Sequence, residues 1–252
     1  MSLSPQVLTD CRIYIATADA TGVSNKIEYS VEYEELDRTT FASGGAKERC
    51  GGLADMSANI GHFWQAGDLS MPDDTFWANL GVATVPLTVI PTSGAVGTLA
   101  YVTRVLECSY KPMGEVGKLL SATVDLKGTW PVARGAVLHP QGTARTATGT
   151  GTAQQLGALS SAQSLYVTYH LLSITADSGS PTLTVKIQSD DNSGFTSATD
   201  RGTFTVSSAL DGQTMKIDGA ITDDYWRAAW TVAGGATNPS VLFAVAAGIA
   251  HK

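Results

Sequence analysis

The sequence predicts an all-β fold with one short helix. Two observations carry that expectation. Runs in which apolar and polar residues alternate recur along the whole length, whereas signals for the start and stop of a helix coincide only once. Composition agrees: charged residues make up 15%, and the 26 glycines stand among abundant Thr, Ser and Ala, a mix that suits strands and turns better than helices. With 252 residues and 43% hydrophobic content, the chain can build one large or two modest cores.

A first strand is expected near residues 10–17. In KIEYSVEYEEL, alternation then places Ile27, Tyr29, Val31 and Tyr33 on a packing face, with Lys26, Glu28, Ser30, Glu32 and Glu34 on a charged one. A long loop follows, from near Leu36 to near Ala54, and includes the glycine-rich GGAKERCGGL. Further strands are expected near 54–65, 83–90 and 99–109, and in GKLLSATVDLKGTW, where Leu120, Ala122, Val124, Leu126 and Trp130 form the apolar set. The helix lies between 70 and 81. Ser70 reads as its N-cap with Asp73 three residues on, Pro72 opens the first turn, Phe76, Trp77 and Leu80 form the apolar face, and Gly81 stops it.

The stretch HPQGTARTATGTGTAQQLGALSSAQ is rich in Gly, Thr, Ala and Gln and almost free of large apolar side chains. It reads as a linker and divides the chain into a first domain over 1–140, a linker over 141–160 and a second domain over 161–252. Six short runs follow it, at 165–172, 182–190, 202–208, 213–221, 225–234 and 240–250. Separated by Gly, Asp, Ser and Asn turns, they predict a small β-sandwich.

The charge argues against whole function classes. A net charge of −7 offers no general positive field for nucleic acid or an anionic membrane. The start, MSLSPQVLTDCRIY, has no basic segment leading into an apolar run, so the expectation is a cytosolic product without a membrane anchor. Cys11, Cys50 and Cys108 are odd in number and lack metal-type spacing, as reduced thiols would be.

Catalytic motifs are missing as well. GGAKERCGGL lacks the Walker pattern and a following helix. Lys47 and Arg49 stand near Cys50, but no base is tied to it among His62, His139, His170 and His251. His62 and His170 lie inside strand patterns and read as structural. The acidic group Glu28, Glu32, Glu34, Glu35 and Asp37 reads as a solvated or interfacial face rather than a convergent pocket. SDDNSGFTSATD resembles a calcium loop through Asp190, Asn192 and Gly194 but lacks the closing glutamate. Tyr225 and Trp226 suggest a sugar-stacking pair, although alternation sends one of them inward. No enzyme, metal or cofactor is expected; contact with copies or partners is.

The stretch from IEYSVEYEELDRTTFASGGAKERCGGLADMSANIGHFW through PDDTFWANLG resembles the major tail tube proteins of long-tailed, siphovirus-like bacteriophages. Thr39, Phe41, Ser43, Gly44 and Glu48 match the family's loop, and Gly52, Leu53, Asp55 and Ser57 the opening of its next strand. The second half is similar to the C-terminal part of a subset of the same proteins. The resemblance implies two packed antiparallel sheets and a flanking helix, with six protomers forming rings that stack into the virion's tail tube, assembled in the host cytoplasm. That tube conducts DNA without binding it specifically, alongside tape-measure, terminator and baseplate or tip proteins.

Carried onto this sequence, the resemblance makes Arg38, Phe41, Gly44, Gly45, Lys47, Glu48, Arg49, Gly51 and Gly52 an inter-ring stacking loop. Lys26, Glu28, Glu32 and Glu34 become lumen-facing, and the C-terminal sandwich decorates the tube exterior. The competing reading is a receptor- or carbohydrate-binding virion component.

Overall fold

A computed structural model describes residues 8–65 and 71–252. In chain order the elements are β1 (Arg12–Ile15), β2 (Ala18–Asp19), β3 (Ser24–Asp37), β4 (Arg49–Phe63), α1 (Pro72–Asn79), β5 (Val85–Ile90), β6 (Leu99–Pro112), β7 (Ser121–Gly128) and β8 (Ala133–His139). After these come β9 (Gly149–Thr150), β10 (Gln154–Gln155), β11 (Gln163–Thr175), β12 (Thr182–Asp190), β13 (Thr199–Thr203), β14 (Asp211–Asp218), β15 (Tyr225–Ala233) and β16 (Ser240–His251). The all-β expectation with one short helix describes this chain.

One sheet runs β14-β11-β16-β8-β6-β5-β1-β2, and from β6 it branches through β7 to β4 and β3. A second sheet runs β10-β15-β12-β13, with β9 also on β15. The large sheet folds back over itself, so four layers stack around three cores. The first core lies between the β4–β7 branch with α1 and the β1–β5–β6 layer, around Ile60, Phe76, Leu87 and Val124. The second joins that layer to β8, β11 and β16 through Tyr14, Val102, Val137 and Ala246. The third fills the space between β11 and β16 and the small sheet, around Leu165, Val185, Trp226 and Phe243. Strands in the two middle layers are covered on both faces, which is why β5 is buried throughout and β11 from Ser164 to Leu171.

Within that second core sits a polar cluster. His170 Nδ1 lies 2.9 Å from the Ala16 carbonyl, so this nitrogen carries the proton, and Nε2 accepts from Thr88 Oγ1 at 2.8 Å. Thr168 Oγ1 stands 2.6 Å from the same Thr88 hydroxyl. Complete burial holds the imidazole down at about 4, in its neutral form.

Several sequence expectations take a different form. The 141–160 segment is laid along the small sheet: Gly149 and Thr150 pair with Trp230 and Ala229, and Gln154 and Gln155 with Trp226 and Tyr225. The expected division of the chain crosses a continuous sheet, because β8 pairs with β16. The face of Ile27, Tyr29, Val31 and Tyr33 packs only at its start. β4 has β7 beside it from Ser57 to Phe63; before that the β3–β4 hairpin is a two-stranded ribbon whose inner face looks across an open cleft at residues 128–132 and 250–252, and Tyr33 is 67% exposed.

The helix begins at Pro72 with Met71 at its cap position, and Ser70 lies outside the described residues. Rather than closing a capping box, the Asp73 carboxylate accepts from Trp64 Nε1 at 2.6 Å and from the Tyr110 hydroxyl. Two turns bury one narrow stripe, Pro72, Thr75 and Phe76, so Trp77 and Leu80 point outward instead of joining the expected apolar face. Phe76 stacks within 4.8 Å of the His62 ring and 5.8 Å of Tyr110. Phe76→Ala is expected to cost about 3–5 kcal/mol and Trp77→Ala less than about 0.5 kcal/mol. Urea unfolding midpoints that fall equally for the two variants would refute this packing.

Candidate assembly surface

The branch β3-β4-β7-β6 presents one face to solvent, and alternation decides what stands on it. Register places Glu32 opposite Asp55, Ser30 opposite Ser57 and Glu28 opposite Asn59. The next strand sets Lys127 beside Ser57 and Asp125 beside Asn59, and β6 adds Ser109 and Lys111. The four residues Lys26, Glu28, Glu32 and Glu34 therefore belong to a wider polar grid. Its other members were not recognised in the sequence, although alternation through 54–61 and 121–127 carried the signal.

Asp125 is the hub of that grid. It accepts from Ser109 Oγ at 2.6 Å, Asn59 Nδ2 at 2.7 Å and Lys111 Nζ at 3.0 Å, and these donors hold its carboxyl down at about 2. Lys26 pairs with Glu28 at 3.1 Å and Lys127 with Asp55 at 3.8 Å. Glu28, Glu32, Glu34, Asp55 and Asp125 stand against Lys26, Lys111 and Lys127, leaving the face with an excess of negative charge.

At the far end of the hairpin the turn spans 38–48. Arg38, Phe41, Gly44, Gly45, Lys47 and Glu48 lie in it, whereas Arg49, Gly51 and Gly52 belong to β4. The expected long loop is shorter than sequence suggested because strand pairing continues to Asp37 and Arg49, across a bulge at Gly52–Leu53. Gly52 suits that bulge: a Cβ there would stand 3.0 Å from the Glu34 side chain. The turn is internally bonded. Arg38 N donates to the Glu48 carbonyl at 3.0 Å, Glu48 N to Thr39 Oγ1 at 3.0 Å, and the Arg38 and Glu48 side chains pair at 3.5 Å. Gly44 and Gly45 adopt φ of 60° and 86° with open space around them, as a turn tip requires. Phe41 is bare.

No family model and no curated protein matches the sequence. Solved structures do. The chain is similar to one in the virion of a native gene transfer agent particle, at 14% identity and TM-score 0.41, over 52% of this chain and 98% of that one. It is similar to the SPP1 tail tube at 12% identity and TM-score 0.42, over 52% and 80%. A third likeness, to the SPP1 Dit protein, spans 95% and 99% at 11% identity and TM-score 0.34.

The two edges of the polar face are open. Among the described residues β3 pairs with β4 alone, and its other edge is free of them. On the opposite side, β6 has β7 along one edge from Val105 to Pro112, while its other edge meets β5 only as far as Val105 and the Leu80–Val82 segment at Glu107.

Other sequence candidates are placed elsewhere. His62 is buried with Nδ1 3.0 Å from the Phe63 carbonyl, far in sequence from Cys50, which is exposed. Asp190 accepts from the backbone of Asn192 at 3.0 Å and of Ser197 at 2.8 Å, so its oxygens shape a turn. Among the described residues no group of three or more His, Cys, Asp or Glu is arranged to hold a metal. Trp226 is fully buried and donates to the Gly157 carbonyl at 2.9 Å, which removes half of the expected sugar-stacking pair.

Proposed function

We propose that this chain is a structural subunit of a bacteriophage tail tube, without enzymatic activity. The observation that carries the reading is the polar four-stranded face with an open antiparallel edge on each side. Because neighbours in β3-β4-β7-β6 all run antiparallel, β3 and β6 point in opposite directions. A second copy set beside the first brings its β3 antiparallel to the free edge of β6, and the pairing repeats around a ring. The resemblance over residues 27–81 gives six as the number of copies.

In such a ring the polar face lines the channel, and its excess carboxylates keep DNA phosphates from adhering as the genome passes. The layer order then puts the small sheet farthest from the channel, which supports an exterior position for residues 161–252. The resemblance further supplies the setting: a virion tail assembled in the host cytoplasm, in contact with tape-measure, terminator and baseplate or tip proteins.

The turn 38–48 joins rings axially in this reading. Electron microscopy of the purified chain is expected to reveal rings or tubes with a central channel. Deleting residues 40–47 should leave folded protein that forms no tubes; tubes of normal length from that deletion would sink the stacking role.

A further inference from the structure

Besides those along β3 and at α1, exposed apolar side chains stand at both ends of the β3-β4-β7-β6 face. At the hairpin tip stands Phe41, with Leu53 and Tyr33 further back along the ribbon, beside the cleft facing residues 128–132. At the other end, β4 closes at Phe63 opposite Ser121, and the turn between β6 and β7 carries Met113, Val116 and Leu119. Phe41 and Val116 are as exposed as side chains can be, at 112% and 105%. The ends are separated by the length of β4, about 45 Å for its 15 residues. In the described part of the second half, by contrast, the large hydrophobics are covered apart from Val206. Such polarised patches mark contact surfaces rather than ordinary surface scatter.

Resting on the tail-tube reading, we infer that the turn at 113–120 is the axial receptor for the hairpin tip of a second copy. Two features choose this occupant over like-with-like pairing. The tip's Arg38 and Glu48 neutralise each other, so Lys47 is its uncompensated charge, while the opposite turn is balanced, holding both Glu115 and Lys118. Tip on tip would set Lys47 against Lys47 and close after two copies, leaving the 113–120 end bare. Tip on turn sets Lys47 against a turn of no net charge, covers both apolar patches, and repeats without closing, as a tube requires.

The test uses full-length chains carrying Cys11→Ser, Cys50→Ser and Cys108→Ser, one with Phe41→Cys and the other with Val116→Cys, treated with a short bismaleimide. A mixed dimer at least tenfold above either chain alone is expected. Dimers from the Phe41→Cys chain alone would mean tip-on-tip contact and overturn the inference. Independently, Val116→Asp with Leu119→Asp should leave rings that do not stack; tubes as long as wild type would also overturn it. Wild-type rings without the mixed cross-link remove this pairing alone. A wild-type chain that forms neither rings nor tubes, and no cross-link, removes the tail-tube reading together with it.

Discussion

Glu107→Gln is expected to flatten the loss of stability that the wild-type chain suffers as pH rises from about 4.5 to about 8. Glu107 projects from β6 into the first core, fully buried, and among the described residues neither carboxyl oxygen has a hydrogen-bond partner. Burial alone pushes its pKa up to about 8. The unfolded chain releases this proton near the ordinary value of 4.5, so between the two values the folded state binds more protons. Stability therefore falls with rising pH across that window and levels off above it. At 1.36 kcal/mol per unit the span is on the order of several kcal/mol.

Buried histidines act in the opposite direction. His139 and His170 are held at about 4 by burial, so they weaken the fold as pH drops from 6.5 toward 4. Glutamine at 107 should leave that acid limb in place. Urea midpoints from pH 4 to 9 separate the two: an alkaline limb unchanged in Glu107→Gln would show that this carboxyl is not its source.

Gly135→Ala is expected to have the larger structural effect. Gly135 on β8 faces Gly248 on β16, and an added Cβ would meet the Ala247 carbonyl oxygen at 2.0 Å and the Gly248 Cα at 2.4 Å. These are backbone atoms inside a ladder, so relief requires the seam between the two halves to part. A loss of more than about 3 kcal/mol, or failure to fold, is expected. Gly142→Ala is the control, since nothing lies within 4 Å of a Cβ there. A thermal midpoint for Gly135→Ala within 2 °C of that control, read by circular dichroism (a shift of about 2–4 °C per kcal/mol is usual for a chain of this size), would count against the close approach.

The strands were legible because their signals are local. The expected run at 182–190 coincides with β12, and that at 225–234 with β15 to within one residue. What joins them was not. Pairing of β8 with β16 links residues about a hundred positions apart, and no local pattern encodes it. Thr168 and His170 inside an otherwise apolar run were the only trace of a second packed face on β11. The Gly- and Thr-rich segment looked like a tether because it buries few large side chains. It is held by backbone bonds to β15, and its glycines serve approach: a Cβ on Gly149 would stand 2.9 Å from the Trp230 ring. The charged face of β3 was readable from alternation, whereas its extension over β4, β7 and β6 depended on knowing which strands adjoin.

β16 follows every strand it joins. It completes the pairing of both β8 and β11, giving Phe243 and Val245 to one core and Ala244 and Ala246 to another. A chain emerging from the ribosome in order thus carries two unfinished cores until residues 240–251 clear the exit tunnel. The first core, built from residues 13–126, can form earlier, but the other two cannot close before β16 is available. A nascent chain stalled before residue 240 should therefore stay protease-sensitive through its second half, where β11 and β8 lack their partner.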